Sequence, residues 1–483
     1  MTEKILRTRF APSPTGFMHV GNLRTALYAW LLARSRGGRF ILRIEDTDRA
    51  RMVADAVQVI YNTLAKAGLD HDEGPDKGGD FGPYVQSERL PLYRPFAEEL
   101  VKNGHAYYCF CEKHEAADDE EETTSDNTPC PCRDLDAAAA AARVAAGEPH
   151  VIRQRIEREG STSFTDTVFG EISIENKVLD DQILLKRDGM PTYNFANVVD
   201  DHLMGITHVV RGSEYLSSTP KYNLLYQAFN WEIPEYVHLP LIMGRDAEGN
   251  VSKLSKRHGS VSFENLVTEG YLPEAIVNYI ALLGWSPKSD REIFTLAELA
   301  ESFSVAGLNK SPAVFDYDKL RWMNSEYIKA LSPDEFARKA LPFTTVADSF
   351  LSGAWDKIAA LLHTRVETFA DCQEKIAFLL EQPEYTVELF THKKSKSDPE
   401  NTAADLPVIR EKLAAVADWN AENISAALSQ FAADTGVKAG RPMWQARIAV
   451  SGCAVTPGGP GEIMEILGKE ESLRRIDMAL KKF

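Results

Sequence analysis

The sequence predicts an α/β nucleotide-binding domain that carries an insertion and is followed by an all-helical domain. Three observations predict it. The chain starts as strand, tight turn, helix, strand; a cysteine-bearing segment of different composition follows; and strand signals almost vanish beyond residue 326. With 483 residues and domains of about 100–200 residues each, about three domains are expected.

The elements follow in order. Ile5 to Ala11 suits a buried strand. Pro12-Ser13-Pro14-Thr15-Gly16 forces a loop, because each proline fixes φ and removes a donor. Asn22 is placed to cap a helix whose Leu23, Ala26, Leu27, Trp30 and Leu31 share one face. Gly37-Gly38 ends that helix and Arg39 to Ile44 returns as a strand. A βαβ start of this kind holds a ligand at the carboxyl end of its first strand. Residues 1–105 are therefore the first half of the domain. Residues 106–190, with clustered cysteines, the acidic run Asp118 to Glu122 and an alanine-rich helix near Ala137 to Ala146, form the insertion. Strands resume at His208 to Arg211 and at Val237 to Met243, so 191–325 is the second half. Within it Pro273 opens a helix that shows Ile276, Tyr279, Ile280 and Leu283 on one face, and Gly284 closes it. Residues 326–483 carry helical patterns such as Ile358, Leu361, Leu362 and Ile409, Leu413, Val416.

Composition narrows the function. A net charge of -17 argues against nonspecific coating of nucleic acid, yet a local basic face could still read RNA. No apolar run reaches the roughly 18–20 residues that span a bilayer, and Met1 to Pro12 lacks the apolar core of a signal peptide. A cytoplasmic protein without membrane partners is expected. In a reducing cytosol the four cysteines between Cys109 and Cys132 point to metal rather than disulfides, while Cys372 and Cys453 look like packing thiols.

Two motifs carry chemistry. His19-Val20-Gly21-Asn22 lies at a strand-to-helix junction, where unpaired backbone N–H groups suit a triphosphate. Gly21 lets the backbone approach, and His19 can donate to phosphate oxygens. Lys253-Leu254-Ser255-Lys256-Arg257 follows the second-half strands, and its cations can neutralise charge as pyrophosphate leaves.

These two motifs resemble the two signatures of class I aminoacyl-tRNA synthetases. The runs Arg9 to Gly16, Arg43 to Asp48 and Pro191 to His202 narrow the resemblance to bacterial-type glutamyl-tRNA synthetases. The resemblance implies a Rossmann-type class I catalytic domain, an inserted acceptor-stem-binding domain and an all-α C-terminal anticodon-binding domain. It implies formation of glutamyl-adenylate from L-glutamate and ATP with Mg²⁺, then transfer to the terminal adenosine of tRNA(Glu), with bound tRNA commonly required for activation. His19, Lys253 and Lys256 are the implied catalytic residues. Gly21, Asn22, Glu214, Ile242 and Lys256 would hold ATP. Glutamate, with two carboxylates and one ammonium, needs paired guanidiniums and a carboxylate. By resemblance Arg9 and Arg211 supply the first and Glu45 the second, with Ala11, Ser13, Tyr193 and Asn197 completing the pocket.

Cys109-Phe110-Cys111 and Cys130-Pro131-Cys132 could close a tetrahedral zinc site, with His105 or His114 as a substitute ligand. Arg441, Trp444 and Arg447 are candidates for RNA contact on the tail. Glutaminyl-tRNA synthetase shares the chemistry but usually has aspartate where this chain has Glu45, and its anticodon module is built from β-barrels. A catalytically silent tRNA-binding paralogue should have lost a phosphate-handling motif. Whether tRNA(Gln) is also charged, which would imply an amidotransferase partner, stays open.

Overall fold

The structure, a computed structural model, describes residues 5–47, 53, 55–111, 130–246, 248–259 and 261–483, with Lys256 described in its backbone alone. Asp48, His114 and the acidic run 118–122 lie outside the described residues. The chain divides into two compact units, residues 1–266 with 276–316 and residues 267–275 with 317–483.

In the first unit, β1 (Arg7–Phe10) pairs in parallel with β2 (Arg39–Leu42), and α1 (Val20–Ser35) connects them. The apolar stripe expected on α1 is wider than one face: Ala26 to Ala33 are all buried. The reason is packing against β1 and β2 on one side and the helix Leu296–Ser302 on the other. Helices α2 (Ala56–Lys66) and α3 (Leu90–Lys102) lead to β3 (Ala106–Cys109), and α4 (Ala137–Ala145) leads to β4 (Val151–Gln154). A hairpin of β5 (Ser161–Asp166) and β6 (Gly170–Glu175) comes next, then β7 (Ile183–Leu185) and α5 (Tyr193–Leu203). Strand β8 (His208–Gly212), α6 (Thr219–Ala228) and β9 (Glu235–Leu239) form the second βαβ unit. The single run expected at Val237 to Met243 is broken by Pro240, and β10 (Ile242–Arg245) begins beyond it. It pairs with β11 (Val251–Lys253) and β12 (Ala313–Val314).

Strand β1 lies beside β8, where the Thr207 N–H donates to the Arg7 carbonyl at 3.0 Å. The main sheet therefore runs β2–β1–β8–β9–β5–β6, and its two parallel halves meet at β1 and β8. That junction is where such sheets open a crevice at their carboxyl ends. Within 106–190, β3, β4 and β7 form their own antiparallel sheet, backed by Tyr93, Ala97 and Leu100 of α3. The β5–β6 hairpin of the same segment instead extends the main sheet, with Asp166 opposite Tyr236 of β9.

The second unit contains helices and 3-10 turns and no strand. It takes in the helix Tyr317–Ala330, so helical structure starts nine residues before the expected 326. Arg475, fully buried, donates to the carbonyls of Phe378, Leu379 and Val450 and so satisfies helix-end acceptors. Among the described residues no helix is long and apolar enough to cross a membrane.

Candidate active site and metal centre

His19, rather than Asn22, caps α1. Its Nδ1 accepts from the Gly21 N–H at 3.0 Å, and Asn22 is an exposed residue of the first turn. An accepting Nδ1 carries no proton, so the neutral ring keeps its proton on Nε2 and presents it as a donor. Burial first, then Lys253, holds His19 below the usual histidine range, which keeps it neutral. A Cβ at Gly21 would stand 3.2 Å from His19 Nδ1, so the ring would have to shift by a few tenths of an ångström to admit one. The cap is tied to the chain just past the second motif. Val20 N–H donates to Val261 O at 2.9 Å, Phe263 N–H to Met18 O at 3.1 Å, and His19 faces Ser262 in an antiparallel bridge. Leu254 N–H donates to Ile242 O at 3.0 Å and Lys253 pairs with Met243, so both signatures and Ile242 belong to one neighbourhood.

Beyond the end of β1, the Glu45 N–H donates to Pro12 O at 3.1 Å, which sets Ala11 and exposed Ser13 alongside Glu45. Arg9 directs Nε at Asp201 (3.0 Å). Fully buried Arg43 joins Asp201 (2.7 Å) to Glu45 (2.8 Å), and Arg89 meets Asp200 at 2.6 Å. Gln86 and Tyr93 donate to the other Asp200 oxygen, each at 2.9 Å. Three guanidiniums thus meet three carboxylates, a buried cluster with no net charge. Burial alone would push the Asp201 carboxyl up, but Arg9 and Arg43 overcome it and hold it below the usual carboxylate range. For Glu45 burial wins, and its carboxyl sits above that range despite Arg43 and Arg9. The second Glu45 oxygen has no hydrogen-bond partner among the described residues, since Arg43 and Gln86 both use Oε1.

Arg211 is 5 % exposed, and no hydrogen bond joins it to a carboxylate among the described residues. Its Nε donates to His238 Nε2 at 3.0 Å and its Nη2 to Thr219 Oγ1 at 2.7 Å. The rings of Tyr215, Tyr222 and Tyr236 surround it at 5.2, 4.7 and 5.3 Å. Asn197 is buried, and its amide nitrogen has no hydrogen-bond partner among the described residues. Arg211, Asn197, Asp201, Tyr222, Tyr226 and Tyr236 line one narrow cleft. Tyr193 feels Glu45, Arg211 and Arg9 together, so these predicted residues share one site. Glu214 is exposed on the turn after β8.

Cys109, Cys111, Cys130 and Cys132 bring their sulfurs within 4.8 Å of one another. Neighbouring sulfurs stand 3.4, 3.7 and 3.6 Å apart. Zinc–thiolate bonds of about 2.3 Å in a tetrahedron put sulfurs about 3.8 Å apart, so the donor set fits that ion. His105 is exposed and lies outside this cluster. The Phe110 N–H points at Cys132 Sγ (3.4 Å), as expected of a thiolate acceptor, and Arg187 ties the Cys111 carbonyl at 3.0 Å.

Residues 5–322 match the catalytic-domain family of class I tRNA synthetases for glutamate and glutamine, and 335–480 match an anticodon-binding domain family. The glutamate–tRNA ligase of Clostridium botulinum is 53% identical over 490 residues, covering 100% of this chain and 99% of its own. The chain belongs to the glutamate–tRNA ligase family. That of Clostridium acetobutylicum is 51% identical over 488 residues, again covering 100% of this chain and 99% of its own. A crystal structure of a glutamate tRNA ligase from Elizabethkingia meningosepticum in complex with its amino acid superimposes with a TM-score of 0.87 at 33% identity, covering 99% of each chain.

For a family member of this kind, sequence reasoning passed over part of the site. Arg43, Asp200 and Asp201 lay inside quoted runs without a role, and Asp166, Thr219 and His238 were not singled out. One signal was available for the first three: a charged residue between apolar neighbours, as in Leu42-Arg43-Ile44 and Val198-Val199-Asp200-Asp201, is costly to bury unless paired. His238 gave no such signal, because its partner is set by strand register.

Proposed function

We propose that the chain activates L-glutamate with ATP, releasing pyrophosphate, and transfers glutamate to the 3′-terminal adenosine of tRNA(Glu). The observation that carries this reading is Arg211, a buried guanidinium with no carboxylate bonded to it among the described residues. Such a charge is expensive to hold unless a ligand supplies the counter-anion. The α-carboxylate must face the ATP phosphates at the start of α1, which leaves the side-chain carboxylate for Arg211. Arg9 supports the carboxylate side, and the unpartnered Glu45 oxygen takes the ammonium. Tyr193, Asn197, Ala11 and Ser13 shape the remainder. Glutamine would leave the Arg211 charge unmatched, which favours glutamate over it.

No side chain need act as nucleophile, because the substrate carboxylate attacks the α-phosphate itself. The chain's part is alignment and charge stabilisation. His19 Nε2–H, Lys253 and Lys256 receive the phosphates, while the N–H groups of Gly21 and Asn22 are already engaged by His19 Nδ1 and His19 O at 3.0 and 2.9 Å, and Glu214 and Ile242 lie on the ribose and adenine side. Mg²⁺ accompanying ATP would add to this neutralisation of phosphate charge, beside His19 Nε2–H and Lys253. A cavity lined by Arg94, His150, Lys186 and Arg187 supports docking of the anionic acceptor end on the inserted segment. On the tail, Trp444 packs against the helical core, stacked on His392 at 4.0 Å with Arg447 over it at 4.6 Å.

The test is charging of purified tRNA(Glu) and tRNA(Gln) with labelled glutamate, with glutamine as control. Glutamate on tRNA(Glu) is the expected result. Glutamate on tRNA(Gln) as well would imply an amidotransferase partner, and charging of neither by folded protein would sink the reading.

We also infer that the four cysteines hold one structural zinc. Metal analysis of chelator-washed protein is expected to find about one zinc per chain, falling below about 0.1 in Cys130→Ser, since three thiolates hold the ion far more weakly than four. Zinc-free unmodified protein would remove the claim.

A further inference from the structure

The substrate-facing arginine is held by a chain of groups that crosses three strands. Strands β8 and β9 are parallel and in register, and Arg211 stands opposite His238. The Arg211 Nε–H donates to His238 Nε2 at 3.0 Å, and a guanidinium can only donate, so that nitrogen carries no proton. The ring's proton is then on Nδ1, which faces Asp166 Oδ2 at 2.7 Å from the tip of β5. Asp166 is itself immobilised. Its Oδ2 also accepts the His238 backbone N–H at 3.0 Å, and its Oδ1 accepts those of Val168 (2.9 Å) and Phe169 (2.7 Å). His238 and Asp166 are both shut off from solvent. Thr219 adds a second hold, accepting from Arg211 Nη2 while donating to Tyr215 O at 2.8 Å. With Nε and Nη2 committed, Nη1 has no hydrogen-bond partner among the described residues and is left for the substrate.

A neutral acceptor is the appropriate support here. A carboxylate in the place of His238 would supply the counter-anion itself and weaken the demand for a substrate carboxylate. Histidine fixes the direction of the guanidinium without neutralising it, and its tautomer is set from behind by Asp166. Burial takes His238 down to about 4 despite Asp166, so the ring stays neutral wherever the enzyme works.

We infer that His238, oriented by Asp166, is the positioning residue that aims Arg211 at the side-chain carboxylate of glutamate. This rests on the assignment of Arg211 to that carboxylate, and the experiment separates the two. Glutamine places its terminal group near the site of Nε2 and asparagine near that of Nδ1. His238→Gln therefore keeps an acceptor for Arg211 and gives up Asp166, whereas His238→Asn keeps Asp166 and gives up Arg211. Pyrophosphate exchange in the presence of tRNA(Glu), with glutamate titrated at saturating ATP, reads the difference. His238→Asn is expected to raise KM for glutamate about 30-fold, of the size that a misplaced clamp costs, with KM for ATP changed less than about 2-fold. His238→Gln is expected to stay within about 3-fold of the unmodified enzyme. A purely structural role predicts equal losses in both, tracking their thermal stability, and that result would overturn the inference. So would an unchanged KM for glutamate in His238→Asn. Where Arg211→Ala lowers glutamate use and His238→Asn does not, this inference alone fails; where Arg211→Ala itself is silent, the substrate assignment fails first. Nitrogen NMR of the unmodified full chain supplies a readout that needs no variant: His238 is expected to show a protonated Nδ1 and a bare Nε2, and the opposite tautomer would overturn the inference.

Discussion

Arg211→Ala is expected to lower kcat/KM for glutamate activation by about 10³- to 10⁴-fold, equivalent to about 4–5.5 kcal/mol. The magnitude follows from burial. The guanidinium is enclosed by three tyrosine rings, and no carboxylate among the described residues is hydrogen-bonded to it. A substrate carboxylate entering that site loses its water and, in the variant, gains nothing in exchange. Lysine is no substitute, because its point charge cannot address His238, Thr219 and substrate together, and a fall of about 10²-fold or more is expected for Arg211→Lys. Folding stability should change little, since removing an uncompensated buried charge offsets much of the lost packing. Pyrophosphate exchange with glutamate titrated in the presence of tRNA measures the effect. A loss below 10-fold would mean that the side-chain carboxylate is received elsewhere.

The largest effect on stability is expected at Asp201. Asp201→Ala leaves Arg9 and Arg43 facing each other in a site where Arg43 is fully buried, and loss of about 3–5 kcal/mol is expected from urea unfolding. Asp201→Asn keeps the shape without the charge and should lose a comparable amount. The pH dependence has a definite sign. Asp201 titrates below its unfolded value, so its contribution is complete above about pH 4 and is lost as pH falls through the folded value. The difference between the unmodified protein and Asp201→Asn should therefore shrink in acid. A loss under about 1 kcal/mol in Asp201→Ala would show that water reaches and screens the two arginines.

Much of this molecule was legible in one dimension. The start of the sheet, the two phosphate-handling motifs and the paired cysteines are local signals, and the structure gathers the cysteines as their spacing suggested. What escaped depends on distance along the chain. Asn22 is the better cap by intrinsic preference. The helix starts earlier because Val20 and Phe263 exchange backbone bonds with residues more than 200 positions away. Arg43 finds Asp201 across 158 residues, and His238 meets Arg211 through the register of two strands. The helical tail was expected at 326 because Asp318, Lys319 and Arg321 dilute the apolar pattern of a helix that begins at Tyr317. Glu45 was expected as a simple receptor for an ammonium, whereas one of its oxygens is already occupied by Arg43.

The excursion of the β5–β6 hairpin into the catalytic sheet bears on how this enzyme can be cut and grafted. Residues 106–190 resemble a cassette that could be exchanged between relatives or removed to leave a minimal enzyme. Yet β5 covers the side of β9, and Asp166 at its tip holds His238. Excising the whole stretch would bare a sheet edge, an invitation to aggregation, and would remove the Asp166 support behind His238 and Arg211. A transplantable cassette therefore comes in two pieces on either side of 161–175, and the hairpin between them has to stay with the host.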